Sequence, residues 1–353
     1  MPVFSTDYLR DVGIRIFTAC GAPADEAKVV ADNLVEASLM GLESHGVTRY
    51  IHYVDHVLIG KIKPGAPVRV VKETPTTAIV DCGFNFGMVS AKRMVEIVCE
   101  KAQEQHVACV VSQNSHHVSR LGSYVQMVTE RDLIGIATAN SSQHGHFVVP
   151  FGGREGRLAT NPIAYGIPTR EGPPVLLDMS TSMISEGKIQ VLMHEGKPIP
   201  PGSVQDAEGY QITAPEKFYG PPKGTIMPFG SPELGYKGFG LSLMVEILSG
   251  VLGGNSTPED LPYINGLFII AIDPQAFCGL ERFKDLIEVL KDYMKTTPPA
   301  PGYDEVIMPG ELDFRIREKR LVEGIPLADK TWDLIKESAL KVGVNLEEPE
   351  SQR

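Results

Sequence analysis

The spacing of apolar positions predicts a helical beginning for this chain, within residues 1–62. Apolar residues recur there at intervals of three and four, and Gly21 interrupts them after the first predicted helix. If the third helix of this region starts near His45, then His45, Arg49 and Tyr53 are four residues apart and share one helix face.

Beyond residue 64 the pattern changes to short apolar runs that alternate with helical spacing, which indicates an α/β layer. The predicted strands cover residues 68–71, 77–81, 107–111, 134–139, 175–177 and 266–273, and the predicted helices cover 87–105, 118–131, 282–293 and a stretch that begins near Gly238. A last helix through Trp332 closes the chain. The remainder of residues 140–187 and residues 196–236 are rich in loop-forming residues and are expected to be largely irregular.

The length and composition exclude several classes of protein. A chain of 353 residues is too long for one ordinary core, so about two or three packed units are expected. Its 33 basic and 44 acidic residues give a formal net charge of −11, which argues against nucleic acid or an anionic membrane as the partner. No window approaches about 18 uncharged apolar residues, so a membrane span is not expected.

The cysteines and the N-terminal segment indicate a cytoplasmic protein. The five cysteines are scattered along the chain without a CxxC pair, as expected of reduced thiols in a reducing compartment. The first residues carry several charges among their apolar positions, which is not the pattern of a signal peptide.

The strongest candidate for chemistry is residues 111–124, VSQNSHHVSRLGSY, between a predicted strand and a predicted helix. Polar side chains that follow a strand lie at the edge of the sheet, where α/β folds bind ligands. The adjacent imidazoles of His116 and His117 titrate near neutral pH and suit general acid–base catalysis. The alternative is that one of them caps the following helix or bonds to a loop.

The face formed by His45, Arg49 and Tyr53 suits a small carboxylate. Arginine holds a carboxylate by two parallel hydrogen bonds, and the imidazole and phenol can reach its remaining oxygens. A solvated helix face is the alternative interpretation of the same spacing.

A histidine-based metal hydrolase is the rival from another enzyme class. His52 and His56 are four residues apart on the third predicted helix, and the histidine pairs at 116/117 and 144/146 could add ligands. The pattern lacks the Glu of HExxH, and no third ligand is evident, so we expect no metal.

Two stretches carry signals for an anionic cofactor. The strand at 175–177 is followed by Asp178 and by hydroxyl side chains at 180–182, and small hydroxyl residues with free backbone N–H groups can cradle phosphates. Tyr236 and Lys237 stand at the start of an apolar helix, where backbone donors attract an anion. No GxGxxG fingerprint follows a predicted strand, so either a dinucleotide binds to a fold other than Rossmann or none binds. In the second case a binding protein for a small anion is the non-enzyme alternative.

Six motifs in order resemble those of one enzyme family over nearly the whole chain. They are SHGVTRYIHYV at 44–54, NSHHVSRLGSY at 114–124, ATNPIAYGIP at 159–168, DMSTS at 178–182, GYKGFGL at 235–241 and PGE at 309–311. Together they are similar to the type-2 malate/L-lactate dehydrogenase family of NAD(P)-dependent oxidoreductases. Its members act on malate, lactate, sulfolactate, ureidoglycolate, diketogulonate or cyclic imino acids.

The resemblance implies an α/β fold unlike Rossmann, in which a mixed sheet domain binds the cofactor and the N- and C-terminal helices pack together. The implied divisions are an N-terminal helical part over 1–70, a central α/β part for cofactor and substrate over 71–310, and a C-terminal helical part over 311–353. The resemblance also implies a homodimer with the active site near the interface.

The site residues implied by the resemblance fall into three groups. The catalytic candidates are His117, as first choice for the proton carrier, and His45, as second; the substrate-binding candidates are Ser44, Arg49 and Tyr53; and the cofactor-binding candidates are Ser141, Asp178, Met179, Ser180, Thr181, Ser182, Tyr236, Lys237, Gly310 and Glu311. Two positions depart from the family pattern, because Ser119 and Ala159 stand where glycine is usual.

The function implied by the resemblance is hydride transfer between NAD(P)H and a small 2-oxo or 2-hydroxy acid. NAD is the expected cofactor, with NADP as the alternative, because no residue of the chain selects between them. A reductase of a cyclic imino acid or a diketo sugar acid is the alternative within the family.

Overall fold

A seven-stranded mixed sheet forms the centre of the protein in the computed structural model, which describes residues 2–142, 145–255 and 264–347, with residue 194 described by its backbone only. The strands lie in the order β2-β3-β4-β11-β5-β6-β7. Their ranges are β2 Arg69–Glu73, β3 Thr77–Asp81, β4 Val107–Gln113, β11 Leu267–Ile272, β5 Ile134–Ala139, β6 Ile163–Ile167 and β7 Val175–Met179. Only β3 and β4 pair in parallel, and the other neighbours are antiparallel. The expected mixed, non-Rossmann sheet is therefore confirmed.

Helices cover both faces of this sheet. Helix α4 (Gly87–Gln105) provides the crossover that a parallel pair requires, and it packs with α5 (Gly122–Thr129) over one apolar face. Helix α8 (Gly235–Ser249) covers the other face, where the hydroxyls of Thr138 and Ser249 lie 2.7 Å apart. The loop that follows β4 carries the histidine motif, residues 114–117.

The two ends of the chain share a second core. Strand β1 (Val3–Phe4) pairs with β12 (Ile325–Pro326), and the rings of Phe4 and Trp332 have centroids 4.5 Å apart. This core is built from α1 (Thr6–Ala19), α2 (Ala24–Leu39), α3 (Arg49–Leu58) and α11 (Asp329–Leu340). Helix α10 (Glu311–Glu323) joins it through an ion pair of Arg317 with Glu36 at 2.6 Å.

The third predicted helix starts later than its sequence suggested. Residues Glu43–His45 form a short 3-10 turn, and α3 begins at Arg49. Gly46 lies so close to α2 that a Cβ there would come within 2.0 Å of the Ser38 hydroxyl. This contact redirects the chain between the two elements, so the prediction that His45 belongs to the helix of Arg49 and Tyr53 is wrong.

Residues predicted to be irregular contain regular structure. A small sheet of β8 (Val204–Gln205), β9 (Gln211–Ile212) and β10 (Thr225–Ile226) packs with α6 (Glu186–His194) and α7 (Pro215–Tyr219) around its own core. Strand β6 lies in the other stretch predicted to be loops. Helix α8 begins at Gly235 rather than near Gly238, and α9 (Leu280–Lys295) is longer than predicted. None of the described helices is long and apolar enough to cross a membrane.

Candidate active site

A pocket of about 170 Å³ lies where the 3-10 turn, the loop after β4, the end of β5 and the start of α6 meet. We call it the imidazole pocket. The lining residues that carry polar side chains are Ser44, His45, Arg49, His117, Ser119, Asn140, Ser141, Thr160, Ser185, Glu186 and Asn265.

His117 is held in one tautomer by two hydrogen bonds to the same ring nitrogen. Its Nδ1 lies 2.7 Å from the hydroxyl of Tyr53 and accepts the backbone N–H of Ser119 at 3.3 Å. Because a backbone N–H can only donate, Nδ1 is the acceptor, and this bonding pattern assigns the ring proton to Nε2. Burial, followed by the charge of Arg49, holds the pKa of His117 well below its usual range.

His45 faces His117 across the pocket. The two rings have centroids 5.8 Å apart and planes inclined by 27°. Nδ1 of His45 lies 2.9 Å from the Ser44 hydroxyl, which can donate or accept, so this contact leaves both tautomers accessible. Burial, Arg49 and Arg120 lower the pKa of His45 to about 4, so the ring is neutral near pH 7.

Arg49 stands at the first turn of α3 and carries the positive charge that faces both imidazoles. Its Nε donates to the carbonyl oxygen of Ser44 at 2.5 Å, which fixes the direction of the guanidinium. Arg49 also lines the pocket, and its two terminal nitrogens make no hydrogen bond to the described residues that competes with a ligand. Such an arrangement can hold a carboxylate by two parallel hydrogen bonds.

Tyr53 lies behind His117 instead of lining the imidazole pocket. Its side chain is 2% exposed and its ring packs against Phe17 and Phe86. The phenol therefore contacts a pocket residue in this structure, and its expected contact with substrate stays a prediction.

A buried amide network borders the pocket, which two of its members, Asn140 and Asn265, line. Glu246 accepts from Asn140 at 2.8 Å and from Asn161 at 2.9 Å, and Asn265 donates to the carbonyl of Asn140 at 2.6 Å. Oδ1 of Asn265 has no hydrogen-bond partner among the residues that the structure describes. An unpartnered acceptor in a pocket wall fits an amide donor, such as the carboxamide of a nicotinamide ring.

The expected cofactor residues divide between the pocket and its surroundings, and of them only Ser141 lines the pocket. Asp178 accepts the N–H of Gly122 at 2.7 Å, at the start of α5, and burial raises its pKa. The hydroxyls of Thr181 and Ser182 bond to backbone carbonyls, and that of Ser180 bonds to the carbonyl of Ser182.

The remaining expected cofactor residues lie further along the chain. Tyr236 and Lys237 are exposed in the first turn of α8, and Gly310 precedes Glu311 at the start of α10. Glu311 is paired with Lys295 at 2.7 Å. Met179 ends β7 outside the pocket. No contact tests these assignments, which stay predictions.

Several residues of the site were absent from the expected set. Asn140 follows β5 and Asn265 precedes the antiparallel β11, so both amides lie at the same edge of the sheet as His117. The sequence signal for them is a polar residue next to a strand end, which becomes informative only when the pairing of β5 with β11 is known. Glu186 also lines the pocket, where its carboxylate accepts from Tyr219 at 2.9 Å.

Within the part of the chain that the structure describes, the histidines considered as metal ligands do not form a complete ligand set. Nδ1 of His56 lies 3.1 Å from Nε2 of His116, which is fully buried, and burial lowers the pKa of His116 to about 3. Among the described residues, no group of three or more His, Cys, Asp or Glu is arranged to hold a metal ion. His144 lies outside those residues.

Comparison with known proteins gives the family. A model of the malate/L-lactate dehydrogenase family matches residues 4–336, and the chain belongs to this family. The malate dehydrogenase of Pyrococcus horikoshii is 37% identical over 96% of this chain and 95% of its own length. A solved structure of malate dehydrogenase from that organism has a TM-score of 0.88 at 35% identity, covering 98% of this chain and 96% of that chain.

Two further relatives differ in the compounds that their names give. The L-sulfolactate dehydrogenase of Methanocaldococcus jannaschii is 34% identical over 95% of this chain and 96% of its own length. The structure of Δ1-piperideine-2-carboxylate reductase from Pseudomonas syringae pathovar tomato has a TM-score of 0.82 at 28% identity, covering 96% of this chain and all of that chain, 100%. The family and these names together identify the chain as an oxidoreductase.

Proposed function

We propose that this enzyme catalyses the NAD(P)-dependent, reversible oxidation of a small 2-hydroxy acid in the imidazole pocket. The observation that carries the proposal is the placement of two neutral imidazoles and the Arg49 guanidinium on one small pocket. A 2-hydroxy acid has a carboxylate and a hydroxyl on neighbouring carbons, so one cation and one proton acceptor close together match it.

The substrate carboxylate is held by Arg49. Ser44 supports this role, because its carbonyl accepts from the guanidinium and its hydroxyl contacts His45. The volume of about 170 Å³ favours an acid of few atoms beyond the carboxylate and the reacting carbon.

His45 and His117 divide the proton chemistry. The tautomer assigned to His117 presents Nε2–H, which can donate a hydrogen bond to the substrate oxygen but cannot take a proton. His45 has an adaptable contact at Nδ1, so it can accept the hydroxyl proton in oxidation and return it in reduction. This assignment reverses the order of preference between the two histidines that was expected from the sequence.

The nicotinamide cofactor, when bound, supplies or accepts the hydride. Asn265 and Ser141 would hold its nicotinamide end, because both line the pocket and Asn265 offers an unpartnered acceptor. Lys237 and Tyr236 would contact its charged part at the start of α8. NAD is the proposed cofactor and NADP the alternative.

The proposed assembly is a homodimer in the cytoplasm. Helix α8 is apolar on its outer side as well as its inner side, and Leu241, Met244 and Ile247 of this helix, with Leu252 in the turn after it, remain exposed in one chain. A face of this kind supports burial against a second copy. The cysteines of the described part of the chain are free, in line with a reducing compartment.

Reduction of a cyclic imino acid is the second candidate. It is favoured by the similarity to the Δ1-piperideine-2-carboxylate reductase structure and by the same pairing of a carboxylate site with proton donors. A screen of 2-oxo acids and cyclic imines with NADH and NADPH tests both candidates. The reaction is monitored through the absorbance of the reduced nicotinamide. If no compound of the panel led to consumption of NADH or NADPH, the proposal would be contradicted.

A further inference from the structure

Ser119 occupies a backbone conformation that costs a non-glycine residue free energy. Its φ is +59°, in the left-handed region, and it is only 5% exposed. Glycine would adopt this conformation without the steric penalty. A serine here therefore calls for a compensating interaction.

Ser119 makes one hydrogen bond to His45 through its side chain and another to His117 through its backbone. Its hydroxyl donates to the carbonyl oxygen of His45 at 2.8 Å, across 74 positions of the sequence. Its N–H donates to Nδ1 of His117 at 3.3 Å. Glycine would preserve the second bond and lose the first.

The bond to His45 reaches a short segment that is also held by other contacts. The 3-10 turn Glu43–His45 is closed by its own backbone bonds and by the Thr48 hydroxyl, which donates to the carbonyl of Glu43 at 2.6 Å. Arg320 of α10 pairs with Glu43 at the start of the turn, and Ser119 connects His45, at its end, to the loop after β4.

We propose that Ser119 is a positioning residue of this active site, whose hydroxyl holds the His45 turn against the His117 loop. The bond sets the spacing of the two imidazoles, whose centroids are 5.8 Å apart. The inference rests on the proposed function, because this spacing matters only if both imidazoles act on one substrate. The free energy spent on the left-handed serine is offset by a more ordered pair of catalytic groups.

The test compares Ser119→Gly and Ser119→Ala with a control, His106→Gly. Ser119→Gly removes the hydroxyl and the backbone strain, whereas Ser119→Ala removes the hydroxyl and keeps the strain. His106 is also left-handed, with φ +68°, and bonds to Asp273 at 3.1 Å, but it is exposed at the end of α4 away from the pocket. The control therefore reports the effect of losing strain and a side-chain bond elsewhere.

Both serine variants should lower kcat by about 5–20-fold, the loss expected when one hydrogen bond no longer orders a reacting group. KM for the 2-oxo acid should stay within about twofold, because Arg49 is unchanged. Ser119→Gly should melt no lower than the parent, and Ser119→Ala should melt lower. The control should keep the parent kcat.

Hydrogen–deuterium exchange of peptides that cover residues 43–49 reports on the bond between Ser119 and His45 in the absence of substrate. We expect faster exchange in both serine variants and parent-like exchange in the control. Unchanged exchange, an unchanged kcat, or a rise in KM alone would overturn the positioning role. A parent enzyme that turns over none of the panel would overturn the proposed function instead, and the exchange data would still show whether the contact exists.

Discussion

The hydroxyl of Tyr53, whose side chain is buried, lies 2.7 Å from Nδ1 of His117, which is half-buried on the pocket wall. The contact joins α3 to the loop after β4 across 64 positions of the sequence. With the N–H of Ser119 on the same nitrogen, it fixes the proton of His117 on Nε2. The imidazole is thereby oriented for one task, which is to donate a hydrogen bond into the pocket.

Tyr53→Phe should therefore lower kcat by about 5–30-fold with little change in KM. The variant keeps the ring that packs against Phe17 and Phe86 and removes the hydroxyl that contacts His117. Steady-state kinetics in the reduction direction provide the check. A large rise in KM at constant kcat would show instead that the phenol binds substrate, as the family resemblance suggested.

Arg49→Lys should raise KM for the acid by an amount that corresponds to about 1.5–3 kcal/mol. Lysine keeps the charge but cannot make two parallel hydrogen bonds to a carboxylate. It also loses the fixed direction that Nε takes from the Ser44 carbonyl. Cofactor affinity, measured by fluorescence titration, should be close to that of the parent. An unchanged KM for every acid would remove Arg49 from the substrate site.

Lys237→Ala should weaken NAD(P)H binding by roughly 5–10-fold, since one charge-assisted contact at the start of α8 is lost. The matched control is Lys223→Ala, because Lys223 is also an exposed lysine but lies in a loop. Fluorescence titration of both variants with NADH and NADPH separates a specific contact from a general change in charge. Equal affinities in parent and Lys237→Ala would place the cofactor phosphates elsewhere.

The buried histidines should make the fold sensitive to mild acid. The pKa of His116 falls to about 3 in the folded protein, mainly through burial, while an unfolded histidine titrates near pH 6.5. Between these values the unfolded chain binds the extra proton, so stability is fully present above pH 6.5 and falls as the pH is lowered.

Each such histidine lowers the free energy of unfolding by about 1.4 kcal/mol per pH unit within that window. Urea unfolding of the parent and of His116→Asn at pH 7, 6 and 5 tests this. The slope of the unfolding free energy against pH should correspond to about one proton fewer in the variant than in the parent. If the free energy of unfolding of the parent did not change between pH 7 and pH 5, this result would contradict the burial of neutral imidazoles.

Much of the fold was predictable because its signals are local. Helix α4 begins and ends as predicted, since its apolar spacing is regular and His106 adopts a left-handed conformation that ends it. Strand β6 was missed because Pro162 and Gly166 stand next to it and within it, and both residues favour loops. The start of α3 was misplaced because the constraint on Gly46 comes from α2.

The site was predictable to a similar extent. Arg49 and the two histidines stand in motifs that are continuous in sequence, and the structure brings all three to one pocket. The bond of Tyr53 to His117 and the role of Asn265 depend on which helix packs over which strand end. No spacing along the chain contains that information.

The most direct test of the mechanism is the pH dependence of kcat/KM in the parent, His45→Ala and His117→Ala. For the parent, kcat/KM for reduction should fall about tenfold per pH unit above the free-enzyme pKa of about 4, while oxidation stays flat, because only reduction takes up a proton.

His45→Ala should lower kcat by roughly 10²–10⁴-fold and lose this dependence, and His117→Ala should lower kcat but keep it. The proposed account would be contradicted if His117→Ala abolished the dependence while His45→Ala retained both turnover and slope.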